Sequence, residues 1–182
     1  MKKERILMRL FIAIQISPEM KDELLYVENM IRSSSRKSSV TNENNLHLTL
    51  AFIGESDEKE RIINTLSRIK FAPFEIKLSH LGAFSQRGEM LIYGALEKTP
   101  GLIDLQKKIT TELKKEGISF DNKKFLPHIT LARRTVLNEY TDLSDIKIMP
   151  LTSNVTSFEL MSSDLSGRRP VYTVLYSNKA SI

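Results

Sequence analysis

One short phrase occurs twice in this chain, as His47-Leu48-Thr49-Leu50-Ala51 and as His128-Ile129-Thr130-Leu131-Ala132. Two of the three histidines open these phrases, and the third, His80, lacks the context. Both phrases sit in apolar, β-branched surroundings, which reads as strand. In a strand, residues i and i+2 share a face. His47 and Thr49 therefore point one way, and Leu48 and Leu50 the other. His128 and Thr130 oppose Ile129 and Leu131 in the same manner. Each strand buries an aliphatic side and offers an imidazole and a hydroxyl on the opposite side. Two such strands facing each other would make a cleft holding a pair of imidazoles. Histidine, with an ordinary pKa of about 6.5, is the side chain best suited to moving protons near neutral pH. A single His-x-Thr is ordinary half-exposed strand; the same phrase written twice points to a paired acid and base.

The rest of the chain reads as two similar halves. Leu10 to Ile16 alternates like a strand. Ser17 can cap a helix with Pro18 in its first turn, carrying Leu24, Val27 and Ile31 on one face. Ser33 to Ser39 is a polar run expected to be a mobile loop. The first motif strand follows. Ile62, Leu66 and Ile69 mark a second helix. Phe74 to Leu81 and Met90 to Leu96 read as paired strands joined through Gly88. Thr99-Pro100 opens a third helix along Leu102, Leu105, Ile109 and Leu113, which Gly117 ends. The second motif strand follows, and Val155 to Ser162 pairs with Val171 to Tyr176. The expected fold class is α+β: an internally duplicated, two-lobed fold over residues 1–182. Two antiparallel sheets line a central cleft, with helices packed outside.

Composition narrows the chemistry. A chain of 182 residues that is 41% hydrophobic has material for a real core. The absence of cysteine excludes thiol catalysis, disulfides and thiolate metal sites, and fits a reducing cytoplasm. No apolar run has membrane-spanning length, and Arg9 interrupts the apolar stretch behind the basic start, so no signal peptide is expected. A net charge of +5 favours an anionic partner. Neither motif strand offers a carboxylate or third histidine at ligand spacing, so no metal and no cofactor are expected.

The stretches Asn45 to Glu55 and Pro127 to Arg133 resemble the two signatures of the 2H phosphoesterases. Arg9 to Ile14 and the segment from Ser162 to Tyr172 narrow the resemblance to the RNA 2′,3′-cyclic phosphodiesterases, the 2′-5′ RNA ligase-like members. The resemblance covers nearly the whole chain. Ser33 to Glu43 departs from it, lacking the proline or aromatic residues often found before the first motif.

The resemblance implies opening of a ribose 2′,3′-cyclic phosphate at an RNA end to leave a 2′-phosphate. It implies His47 as proton donor and His128 as proton acceptor; the residues themselves do not order the two. Thr49, Thr130 and Arg133 would contact phosphate; Phe11 would either stack on a base or pack in the core. Strict alternation puts Arg133 on the face opposite His128, so it can help only where the strand ends or bends. Arg168 and Arg169 read as a solvated turn and Tyr172 as structural. The expected partners are RNA ends bearing cyclic phosphate, with the protein a monomer. Two alternatives stand beside this reading. One is 2′-5′ oligonucleotide cleavage or RNA end-joining in the same cleft. The other is a non-enzymatic RNA-binding module, against which the retention of both histidines counts.

Overall fold

The computed structural model describes residues 7–181. Its elements run β1 (Met8–Gln15), α1 (Pro18–Ser33), β2 (Ser35–Val40), β3 (His47–Ser56), α2 (Lys59–Leu66), β4 (Phe74–Gln86), β5 (Glu89–Leu96), α3 (Pro100–Lys115), β6 (His128–Leu137), β7 (Thr152–Val155), β8 (Ser157–Asp164) and β9 (Val171–Lys179). Short 3-10 turns precede β3 and β7. The strands form a four-stranded sheet in the order β3-β1-β8-β9 and a five-stranded sheet in the order β2-β6-β5-β4-β7. Every pairing is antiparallel. The two motif strands belong to different sheets yet touch each other.

The helix boundaries follow local chemistry. The Ser17 hydroxyl accepts a bond from the Met20 N–H at 3.3 Å, and Pro18 occupies the first turn of α1, where its missing donor costs nothing. Thr99 and Pro100 open α3. Gly117 closes it in a left-handed conformation, φ +67°, that β-carbon-bearing residues disfavour. The faces carrying Leu24, Val27 and Ile31, and Leu102, Leu105, Ile109 and Leu113, are fully buried. They pack in one core with Leu48, Leu50, Ile129 and Leu131 from the two motif strands.

The polar run after α1 is not a loop. Ser35–Val40 is an edge strand paired with β6. An edge strand needs only one bonded side and no apolar face, so serine, arginine and lysine fit there. The hairpin between β4 and β5 turns at Arg87 and Gly88, with φ of 53° and 78°. The last strands divide between sheets: β7 joins β4, while β8 pairs with β1 and β9.

Candidate active site

Both motif histidines are held in the same way. The His47 Nδ1–H donates to the Asn45 carbonyl at 2.6 Å, and the His128 Nδ1–H donates to the Leu126 carbonyl at 2.7 Å. A carbonyl only accepts, so Nδ1 carries a hydrogen in each ring, and Nε2 holds the lone pair of the neutral form. In each phrase the holding carbonyl lies two residues before the histidine, so the repeat includes the ring's orientation. Asn45 is itself buried, and its side chain donates to the Pro170 carbonyl at 2.8 Å, tying the first motif to the start of β9.

The free nitrogens differ. His47 Nε2 lies 3.0 Å from the Thr49 hydroxyl. His128 Nε2 has no hydrogen-bond partner among the described residues. The ring of His47 is deeply set, and burial pushes its pKa below the ordinary histidine value. The bond to the Asn45 carbonyl opposes that shift, while the positive charges of His128 and Arg133 reinforce it. His128 and Arg133 thus act electrostatically on a histidine of the other sheet.

Arg133 reaches this site through a bulge. Tyr93 pairs with Thr130 but Ile92 pairs with Ala132, so Leu131 is an extra residue in β6. Leu131 and Ala132 are both buried, which puts Arg133 on the exposed side with His128 and Thr130; Arg134 is exposed too, at φ 49°, where a second register shift interrupts the alternation. Thr41 secures the bulge. Its N–H donates to the Leu131 carbonyl at 2.8 Å, and its hydroxyl donates to the Thr130 carbonyl at 2.9 Å. The first motif repeats the device: Ile12 pairs with Ala51 and Ala13 with Thr49, so Leu50 is the extra residue. There the phase shift turns Phe52 toward the cleft, and the Arg9 guanidinium lies 4.8 Å from the centre of its ring.

Aromatic rings flank both histidines. Phe11 and Tyr172 sit 5.0 Å and 5.3 Å from the His47 ring. Tyr93 and Phe84 sit 5.2 Å and 5.9 Å from the His128 ring. Of the two readings of Phe11, base stacking and core packing, its burial fits the second. It is only 2% exposed, closed in by His47, Phe52, Tyr172 and Met161, and it supports the imidazole rather than offering a face to a ligand. Tyr172 packs edge-on against His47. Tyr172, Phe52, Tyr93 and Phe84 were not legible as site residues. Phe52 alone had a signal, since it occupies the position in the first phrase that Arg133 occupies in the second. Arg168 and Arg169 are exposed on the β8–β9 connection. The His80 ring bonds the neighbouring Ser79 hydroxyl through Nδ1, at 3.0 Å.

Among the described residues no three of His, Cys, Asp and Glu come together as a metal site would require, and no helix is long and apolar enough to cross a membrane.

Residues 27–167 match the 2′-5′ RNA ligase superfamily. The chain is 31% identical over 179 residues to an RNA 2′,3′-cyclic phosphodiesterase of Thermotoga maritima, covering 93% of this chain and 94% of the relative. It is 32% identical to an RNA 2′,3′-cyclic phosphodiesterase of Escherichia coli, covering 92% and 93%. Its fold is similar to that of E. coli LigT in complex with 3′-AMP. The TM-score is 0.78 at 26% identity, over 97% of this chain and all of the other.

Proposed function

This chain belongs to the 2′-5′ RNA ligase superfamily, and we propose that it is an RNA 2′,3′-cyclic phosphodiesterase that hydrolyses terminal cyclic phosphates to 2′-phosphates with His47 as acid and His128 as base. The observation that carries the residue roles is the shared clamp. Each Nδ1 is committed to a carbonyl, which leaves each Nε2 as the nitrogen able to exchange a proton with substrate.

The chemistry follows from what each group can do. His128 Nε2 has an uncommitted lone pair and takes a proton from water. The water oxygen bonds to phosphorus as the bond from phosphorus to O3′ breaks, and O2′ keeps the phosphate. Protonated His47 gives its Nε2 hydrogen to the departing O3′. The lowered pKa of His47 makes its protonated form a stronger acid, and an anionic phosphodiester entering the cleft favours that form. Once His47 is protonated, its Nε2 has no lone pair to accept from Thr49, so the Thr49 hydroxyl hydrogen is free for a non-bridging phosphate oxygen while the Nε2–H faces O3′. The Thr130 hydroxyl, with no side-chain partner, provides a second donor, and Arg133 provides a cation for the charge that builds in the transition state.

The test is product analysis. RNA ending in a 2′,3′-cyclic phosphate should be converted to RNA ending in a 2′-phosphate. An unchanged substrate, or a 3′-phosphate product, would reject the proposal.

A further inference from the structure

The two sides of the cleft differ in what they leave open. Beside His47, Phe11 is sealed under neighbouring rings. Beside His128, Phe84 is 45% exposed on β4. Its ring lies 4.7 Å from that of Tyr93, tilted by 32°. Both rings meet His128 nearly edge-on, at 84° and 62°.

The pair is also built into the sheet. Tyr93 is the cross-strand neighbour of Thr130 on one side and of Gly82 on the other. A β-carbon on Gly82 would stand 2.5 Å from Cζ of Tyr93 and 2.6 Å from its hydroxyl oxygen. The tyrosine ring therefore lies across bare backbone, and glycine is what makes room for it. Phe84 continues the same face two residues along β4, before the turn at Arg87 and Gly88. The result is a partly open aromatic surface that ends at the proposed base.

We propose that Phe84 and Tyr93 form a nucleobase shelf on the His128 side, occupied by a nucleoside other than the one that carries the cyclic phosphate. The occupant follows from the reaction, and this inference rests on the function proposed above. In-line displacement puts the entering oxygen and the departing O3′ on opposite sides of phosphorus. His47 serves O3′, so the ribose bearing the cyclic phosphate, and its base, hang on the His47 side. His128 serves the entering oxygen. A base on the Phe84–Tyr93 shelf belongs to a second nucleoside, whose sugar hydroxyl stands where water enters. The cleft, with an imidazole, a hydroxyl and flanking aromatic rings on each side, matches a ligand of the form nucleoside–phosphate–nucleoside. Every base has a π-face, so the shelf is tolerant of sequence.

The consequence is kinetic. A nucleoside on the shelf coexists with substrate and displaces water, so it lowers kcat without raising KM. A nucleoside on the His47 side would compete and raise KM. The experiment measures 2′-AMP release from 2′,3′-cyclic AMP at several adenosine concentrations, in the original protein and in Phe84→Ala and Phe84→Trp. Equilibrium dialysis of labelled adenosine against protein saturated with 2′-AMP reads the same site without turnover. We expect a kcat effect and adenosine binding alongside 2′-AMP. Phe84→Ala should weaken that binding about five- to hundredfold, the range of base–aromatic stacking, and Phe84→Trp should retain it. Tyr140→Ala, at a ring that is 98% exposed, should leave adenosine binding as it was. The proposal is overturned by purely competitive inhibition, by no adenosine bound beside 2′-AMP, or by unchanged binding in Phe84→Ala of native far-ultraviolet dichroism. If the chain fails to hydrolyse the cyclic nucleotide but still binds adenosine beside 2′-AMP through Phe84, the activity reading falls and the shelf stands.

Discussion

Arg133 shares the cleft face with His128 although it stands an odd offset further along the strand, because Leu131 is inserted into β6 as a bulge and shifts the alternation by one. The bulge is held by Thr41, whose N–H and hydroxyl bond the carbonyls of Leu131 and Thr130. Thr41 thereby helps to set the position of a cation through the strand backbone.

Arg133→Ala should lower kcat by about 10²–10³-fold, the scale for losing one stabiliser of transition-state charge. Thr41→Val, which removes the hydroxyl bond to the strand but not the N–H bond, should lower it less. Steady-state kinetics on a cyclic-phosphate RNA would check both. A Thr41→Val loss larger than that of Arg133→Ala would mean that the bulge positions more than the arginine.

His47→Ala and His128→Ala should each cost about 10²–10⁴-fold in turnover. The double variant should lose far less than the product of the two, since groups that act as a unit are not additive. His80→Ala should change little, because its ring is held by the Ser79 hydroxyl and lacks the carbonyl clamp that orients each motif histidine. Near-normal turnover in either motif variant would end the acid–base assignment.

Activity should rise and then fall with pH, because the base must be neutral and the acid protonated. The two limbs belong to the coupled pair. His128→Ala should remove the acidic limb and His47→Ala the basic one. The Arg133 charge holds the pKa of His47 down, so Arg133→Gln should move the basic limb of kcat/KM to higher pH. A basic limb that stays in place would show that His47 is not the group titrating there.

Glu28 predicts a pH effect on stability rather than on catalysis. It is 3% exposed on α1, and one of its carboxyl oxygens has no partner among the described residues. Burial pushes its pKa up from 4.5 to about 8, with Arg32 and the Thr41 backbone opposing the shift. A carboxyl whose pKa is raised by folding binds its proton more tightly in the folded chain. The stability it confers is full below about pH 4.5 and is lost as pH rises toward about 8. Glu28→Gln should flatten that decline, seen as a smaller fall in Tm between pH 5 and pH 8 (about three pH units of titration). An equal decline in the variant would place the titrating group elsewhere.

Hydrolysis should persist in excess EDTA, as expected for two histidines working without a Lewis acid. Activity abolished by chelator and restored by a divalent ion would contradict that expectation.

The repeated His-x-Thr phrase determined, on its own, which residues face together, because strand periodicity is a local property of the backbone. The same locality made the start of α1 at Ser17-Pro18 and the end of α3 at Gly117 readable, since caps and left-handed turns depend on adjacent residues. What pairs with what was not local. Ser33 to Ser39 carries no apolar alternation, and β2 exists only because β6 presents a free edge to it. The placement of Arg133 depended on a bulge, which appears only when β5 is laid beside β6 and one residue is left over. The resemblance named Phe11 as a ligand platform with core packing as the other reading, and a sequence does not show whether an aromatic face is open or closed. Tyr172 and Phe52, distant in sequence, closed it. Phe84 and Tyr93 stayed invisible for the reverse reason. Their meeting with His128 is made across three strands, over a glycine whose missing β-carbon matters only once the tyrosine lies on it.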